Sequence, residues 1–342
     1  MKEIKDIIAA YDVEASNGQP MALATVINVK GSSYRRPGAR MLVQLNGVWT
    51  GGISGGCLEG DALKKTTMAI TRQLANMVTY DTSNDDEHQI GVGLGCKGVI
   101  DVLIAPIDDN SEHNPIAVLR SCCDTREVKV LLTVASLSDA QQAHLVGNMI
   151  RFNERTERPD FLSEQDWQQL RDDVTQATEK QTSSTKTYSQ CSIFIEVLPP
   201  ALRLVLFGGN FDVLPLLRMG QVLGWHMEVV GNPQRLDKEV HELAHAVHKN
   251  EQDLNIDSFT AFVLMTHDFK SDKKYLKSAL TTEVPYIGML GPSVRGIETI
   301  KELKEEGAAF SEADQQRFYN PIGPVSYTHL TLPTTSGLCS CG

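Results

Sequence analysis

Long apolar runs are missing from this 342-residue chain, and no stretch reaches the length of a membrane-spanning helix. An excess of basic charge is missing too. The 32 lysines and arginines are outnumbered by 43 aspartates and glutamates, for a formal net charge of −11, and no basic stripe runs along the sequence. That balance weighs against partners such as nucleic acid or an acidic membrane surface, while leaving room for a local anion site made of backbone amides. The seven cysteines, an odd number, form no evenly spaced disulfide framework, which fits a reducing compartment. Zinc needs about four ligands, and neither a C-x-x-C pair nor a neighbouring histidine pair supplies them around the glycine-flanked cysteines, so no metal ligands are assigned. The opening residues, MKEIKDIIAAYDVEA, mix charge with aliphatics and lack the apolar centre of a signal peptide. A cytoplasmic location is therefore expected.

At this length two domains are expected. The expected fold class is α/β, with an N-terminal mixed α/β domain and a C-terminal Rossmann-like, doubly wound parallel sheet. Residues 1–109 form the first domain. It opens on a helix with Ile4, Ile7, Ile8 and Tyr11 at helical spacing, continues into the β-rich run Met21–Val29, and carries a hairpin signal at Asn46-Gly47. Residues 110–200 read as an α/β middle segment or linker. Helices are predicted there over SDAQQAHLVGNMI and, capped by Ser163, over SEQDWQQLRDDVTQATEK, with a polar turn over QTSSTKTYSQ. Pro199-Pro200 marks the boundary. From 201 to 323 strands and helices alternate. LRLVLFGGN has the unbroken apolar character of a strand buried on both faces, and VHELAHAVHKN is predicted as a helix. Residues 324–342 break sharply in composition and read as a non-native tail, so Cys339 and Cys341 stay outside the functional argument.

The chemistry-bearing stretch is GGISGGCLEG, Gly51–Gly60, where Cys57 stands among five glycines immediately before a predicted helix. Glycines let the backbone turn tightly and leave amides uncovered. The positive end of the following helix favours a thiolate and attracts anions. A nest for a phosphate or a pterin edge results, with a thiol at its lip; the plainer reading is a small residue filling a tight turn. GVGLGCKG, Gly91–Gly98, repeats the arrangement around Cys96 and suggests one pocket with two thiols. The turn GSSYRRPGAR offers Ser32, Ser33, Arg35, Arg36 and Arg40, and arginine forks suit phosphate or carboxylate; the plainer reading is a solvated basic turn.

VLFGGNFDVLPL sits where a phosphate loop follows the first strand of a Rossmann unit. Gly208 and Gly209 stand and Asn210 tolerates positive φ, but later glycines are gone. Gly231-Asn232 replaces the acidic residue that holds a ribose hydroxyl, which weighs against a nicotinamide nucleotide. His267 and Asp268 fall at the carboxyl end of a strand, the edge where open α/β sheets keep ligands; the plainer reading is a capping aspartate beside a packed histidine. HELAH, His241–His245, matches the zinc-hydrolase pattern, with zinc on His241 and His245 and Glu242 as base. It lies inside a Rossmann-like unit and lacks the extended pattern, so metal is assigned to none of these residues.

These segments resemble the XdhC/CoxI family of xanthine dehydrogenase accessory factors. The resemblance is carried by ATVINVKGSSYRRPGARMLV with GGISGGCLEGD, by GLGCKGVIDVLIAP, and by LVLFGGNFDVLPLLRMGQVLGWHMEVV with VLMTHDFKSDKKYLKSAL, PYIGMLGP and PIG. It covers residues 20–107 and 202–323. It implies a maturation chaperone without its own turnover that binds molybdenum cofactor (molybdopterin), supports its sulfuration, and delivers it to a molybdenum hydroxylase such as xanthine dehydrogenase. A cysteine desulfurase as sulfur donor and a homodimer are further implications. Carried over by motif position, Cys57 and Cys96 are the cofactor-handling thiols, with Gly55, Gly56 and Gly95 shaping the cradle. Arg36, Gly208, Gly209, Asn210, His267 and Asp268 complete the expected binding residues. Departures from the family are Lys97 where glycine is usual, Phe211 after Asn210, the missing acid after EVV, and the altered end after PIG. Two rival classes stand beside this one: a nicotinamide-dependent oxidoreductase, and a thiol redox sensor or binding module.

Overall fold

The computed structural model describes residues 1–82 and 98–322. Two compact units emerge, Met1–Pro200 and Ala201–Gly342. No described helix is long and apolar enough to cross a membrane.

The first unit opens with helix α1 (Lys2–Ala15), strands β1 (Met21–Gly31), β2 (Arg40–Gln44) and β3 (Trp49–Gly51), helix α2 (Glu59–Arg72), and strands β4 (Asn76–Asp81) and β5 (Gly98–Pro106). These strands make an antiparallel sheet in the order β3-β2-β1-β5-β4. Asn46-Gly47 turns the hairpin between β2 and β3, with Asn46 Oδ1 accepting from Val48 N at 2.9 Å. Strand β1 is buried from Met21 to Ile27 because both of its faces are covered there. Ala24 and Val26 join Ala62 and Ala69 of α2, whereas Met21 and Leu23 join Ile4, Ile7 and Ile8 of α1.

Helix α3 (Pro115–Ser121), strands β6 (Lys129–Leu137) and β7 (Met149–Phe152), helix α4 (Glu164–Lys180), and strands β8 (Ser184–Thr187) and β9 (Cys191–Leu198) complete this unit. They add an antiparallel sheet in the order β7-β6-β9-β8, covered by Trp167, Leu170, Val174 and Ala177 of α4. Ser163 caps α4 as predicted, accepting from Asp166 N at 3.0 Å. Ile27 and Leu103 of the first sheet pack with Ala135 and Phe194 of the second.

Two predictions fail here. SDAQQAHLVGNMI is a short 3₁₀ turn, Ala140–Leu145, followed by β7, because Met149–Phe152 pairs with β6. The polar stretch QTSSTKTYSQ contains β8, an edge strand against β9, whose polar side chains suit a solvated edge.

The second unit runs β10 (Arg203–Phe207), α5 (Val213–Leu223), β11 (His226–Val230), α6 (Lys238–Leu243), β12 (Ala246–His248), β13 (Thr260–Leu264), α7 (Phe269–Leu280), β14 (Tyr286–Leu290), α8 (Ser293–Glu305), α9 (Glu312–Gln316) and β15 (Phe318–Ile322). All its strands are parallel, in the order β12-β11-β10-β13-β14-β15. The order in which strands are added reverses between β10 and β13, as in a doubly wound fold. Val213 and Leu217 of α5 and Val240 of α6 cover one face, and Leu276 of α7 and Leu303 of α8 the other. The α/β class read from the sequence therefore stands. VHELAHAVHKN is not one helix, however, since α6 stops at Leu243 and Ala246–His248 adds an edge strand to β11.

Gly208 lets the loops after β10 and β13 meet. It sits at φ +147°, and a Cβ there would lie 2.6 Å from the Met265 carbonyl oxygen. Gly208→Ala is expected to destabilise the second unit by about 1–3 kcal/mol, read from urea unfolding followed by Trp225 emission. An unchanged midpoint would contradict the close approach.

Candidate functional site

Between β3 and α2 the loop of Cys57 is organised by two side chains that come from the loop itself. Ser54 Oγ accepts from the N–H groups of Gly56 at 3.2 Å and Leu58 at 3.1 Å, and donates to Glu59. Glu59, the first residue of α2, is buried and reaches back to accept from Ile53 N at 3.2 Å and Ser54 N at 2.8 Å. Burial pushes this carboxyl up, but the Ser54 hydroxyl and the N–H groups of Ser54, Glu59 and Ile53 outweigh it and hold Glu59 below the usual carboxylate range. Four loop amides are thus spent internally. Those of Gly55 and Cys57 make no hydrogen bond among the described residues, so the anion-binding edge of the nest is narrower than its glycine content suggests.

Cys57 is half-buried and free, packed on one side against the cluster containing Leu58 and Val102. Gly55 and Gly56 are exposed. Over Gly55 lies the Tyr34 ring, 74% exposed; a Cβ at position 55 would sit 3.3 Å from it. Sequence reading did not single out Tyr34, because nothing local marks a residue of the β1–β2 turn as a neighbour of the Cys57 loop. Gly95 and Cys96 lie outside the described residues, as do Lys97, Cys339 and Cys341.

The arginines of the turn divide. Arg36 is exposed and borders a groove with Pro37 and Gly38, away from Cys57 in the chain. Arg35 pairs with Glu3. Arg40 is buried against Glu196, with Nη1–Oε1 at 2.9 Å, and donates to the Gly38 carbonyl at 2.8 Å, so it is structural.

In the second unit, the carboxyl ends of β10 and β13 bring Gly208, Gly209 and Asn210 beside His267. Asn210 Nδ2 donates to the Thr266 carbonyl at 3.3 Å. His267 has φ +61° and its Nε2 lies 2.6 Å from Asp212 Oδ2. The loop enforces this backbone, since Asp272, itself paired with Arg295, accepts from both the N–H and the hydroxyl of Thr266. Asp268 caps α7, accepting from Ser271 N at 2.8 Å, and that serine holds its carboxyl below the usual range. An Asp–His pair at the switch point thus replaces the packed histidine of the plainer reading, and Asp212 had no sequence signal beyond its place at the start of α5.

The anion seat of this loop is poor. Pro215, third residue of α5, has no N–H, Val213 N is taken by the Asn210 carbonyl at 3.1 Å, and the Asp212 carboxylate stands at the helix start. Asn232 Oδ1 accepts from Gln234 N at 3.1 Å within its own turn. Titration with NADH is expected to leave nucleotide fluorescence unchanged; saturable enhancement would contradict this account of the loop.

The HELAH histidines are scattered. His241 bonds the Pro233 carbonyl, His245 Nδ1 accepts from Met227 N, and His248 pairs with Glu228 at 2.8 Å. No metal-holding group of His, Cys, Asp or Glu exists among the described residues.

Over residues 15–81 the sequence matches the XdhC and CoxI family, and over residues 204–328 the XdhC Rossmann domain. It is 24% identical over 322 residues to a probable xanthine dehydrogenase subunit of Bacillus subtilis (strain 168), covering 91% of this chain and 89% of that protein. Against the molybdenum cofactor insertion chaperone PaoD of Escherichia coli (strain K12) it is 22% identical over 317 residues, covering 92% and 80%. A crystal structure of a xanthine dehydrogenase from Bacillus halodurans aligns with a TM-score of 0.69 at 26% identity, covering 93% of this chain and 89% of that one. One family match falls on the unit with the Cys57 loop and the other on the unit with the doubly wound sheet, and the relatives align across both: the chain belongs to the XdhC and CoxI family.

Proposed function

We propose that the chain is an accessory chaperone that binds molybdenum cofactor, supports its sulfuration, and inserts it into a molybdenum hydroxylase of the xanthine dehydrogenase type. The names of two relatives support the coarse role. The observation that carries the site is the loop at Cys57: a half-exposed residue beside two amides that make no hydrogen bond among the described residues and two exposed glycines, held in shape by Ser54 and the buried Glu59. The donor set fits the cargo. The cofactor brings molybdenum, a pterin with hydrogen-bonding edges, and a phosphate, while bare glycine backbone admits a flat group closely and amides take its acceptors.

Each residue has a proposed part. Cys57, as thiolate or persulfide, handles the sulfur, with a cysteine desulfurase as donor. Gly55 and Gly56 give access, the N–H groups of Gly55 and Cys57 hold an acceptor, and Glu59 fixes the residues before them, Ile53 and Ser54. Cys96 joins them on the family resemblance. The Asp212–His267 pair of the second unit is proposed as a binding surface of that unit, and a homodimer is the proposed assembly.

The test is co-expression with a cofactor pathway and a xanthine dehydrogenase-type apoenzyme. Molybdenum, measured by plasma mass spectrometry, is expected to purify with the chain, and hydroxylase activity to fall severalfold when the chain is omitted. A metal-free chain and an unaffected hydroxylase would contradict the proposal.

A further inference from the structure

Between the start of α1, strand β3 and the start of α2 lies a cleft of about 760 Å³ that Cys57 does not line. Its size is that of small-molecule sites. Gly51, Gly52, Gly56 and Gly60 contribute bare backbone to its walls, and a Cβ on Gly56 or Gly60 would meet nothing within 4 Å. Into this cleft the edge strand β3 presents Trp49, 48% exposed and without a ring contact among the described residues. A tryptophan left uncovered in a glycine-walled cleft offers a stacking face for a flat ligand.

Charge selects the kind of ligand. Three carboxylates line the cleft, those of Glu3, Asp6 and Glu59, against the cations of Lys2 and Arg35, so a phosphate is disfavoured there. Glu59 is committed to Ile53 and Ser54, and Glu3 to Arg35 and to Arg40 N. Among the described residues Asp6 is held only by Lys2, at 2.7 Å, in a half-exposed pair of the kind that contributes little and exchanges readily. A carboxylate that can exchange its lysine beside a stacking face recognises an edge that donates N–H groups.

We infer that this cleft seats a fused heterocycle with a 2-amino-4-oxopyrimidine edge, the chemistry shared by a pterin and a guanine. Trp49 takes its face and Asp6 accepts from its N–H groups. The inference rests on the carrier reading only in naming the pterin as occupant.

The full chain is titrated with 6-hydroxymethylpterin, guanosine and adenosine, following tryptophan emission and ligand anisotropy. The pterin is expected to bind and quench. Trp49→Phe retains affinity within about threefold, since an aromatic face remains, whereas Trp49→Ala and Asp6→Asn each lose about tenfold, on the scale of one stacked base. Far-UV circular dichroism checks the fold, and both side chains are exposed enough to be dispensable for it. Unchanged affinity in Trp49→Ala, adenosine binding as tight as the pterin, or binding of no probe would overturn the cleft assignment. Guanosine bound in preference to the pterin would keep the edge chemistry and replace the occupant. Pterin that copurifies equally with Trp49→Ala would overturn the cleft and leave the carrier reading standing. Its absence from wild-type protein that still binds guanosine would do the reverse.

Discussion

Glu196→Leu is expected to lower the unfolding free energy of the first unit by about 3–5 kcal/mol, the cost of stranding a buried charge. Arg40 and Glu196 are both buried, and the guanidinium meets the carboxylate through two nitrogens while Nη1 also donates to the Gly38 carbonyl. The pair joins β2 of the first sheet to β9 of the second, so its loss is felt by both. Arg40 Nε already lacks a partner, so without Glu196 the guanidinium keeps only the Gly38 carbonyl among the described residues. The double variant Arg40→Met/Glu196→Leu is expected to recover most of the loss, because two apolar side chains of suitable size avoid the desolvation penalty altogether. Urea unfolding followed by Trp167 emission reads both. Equal loss in the single and double variants would mean that packing, and not charge, is what the pair provides.

The second large effect falls on Glu59. Glu59→Ala removes the acceptor for two backbone N–H groups and the Ser54 hydroxyl, and is expected to cost about 2–4 kcal/mol and to lower cofactor retention severalfold. Glu59→Gln keeps one acceptor oxygen and is expected to lose about half as much. The two variants also predict a pH dependence. The folded carboxyl is held below its usual range, so its stabilisation is fully present above the unfolded-state value and disappears as pH falls through the lower folded value. The stability gap between wild type and Glu59→Gln should therefore be wide at neutral pH and narrow in acid. A gap that widened in acid would contradict the hydrogen-bond account of the latch.

What the sequence made legible follows periodicity and local chemistry. Alternation of apolar strands with helices from Leu202 onward specified the parallel sheet, the Asn46-Gly47 signal marked the hairpin of the first sheet, and Ser163 with Asp166 marked the start of α4. Glycine around Cys57 marked the loop before α2. Contacts made through the fold were not legible. Arg40 and Glu196 lie 156 residues apart, Tyr34 reaches Gly55 only because β1 and β2 return the turn to the loop, and Asp212 meets His267 across 55 residues at the switch point. Glu59 did carry a signal, an acid in the first turn of a predicted helix, but nothing in that position shows that its side chain turns back into the loop to the N–H groups of Ile53 and Ser54. HELAH misled because a helical pattern was assumed through residues that the sheet edge claims for β12.

The central claim is that the chain carries the cofactor with the Cys57 loop as part of its site. The protein and its Cys57→Ala variant, co-expressed with a working cofactor pathway, purified without air and oxidised with iodine, are assayed for fluorescent pterin. The account predicts pterin in the wild type and at least about tenfold less in the variant, with both folded, a difference worth about 1.4 kcal/mol or more of binding. Equal pterin in both would remove Cys57 from the site, and none in either would contradict carriage itself.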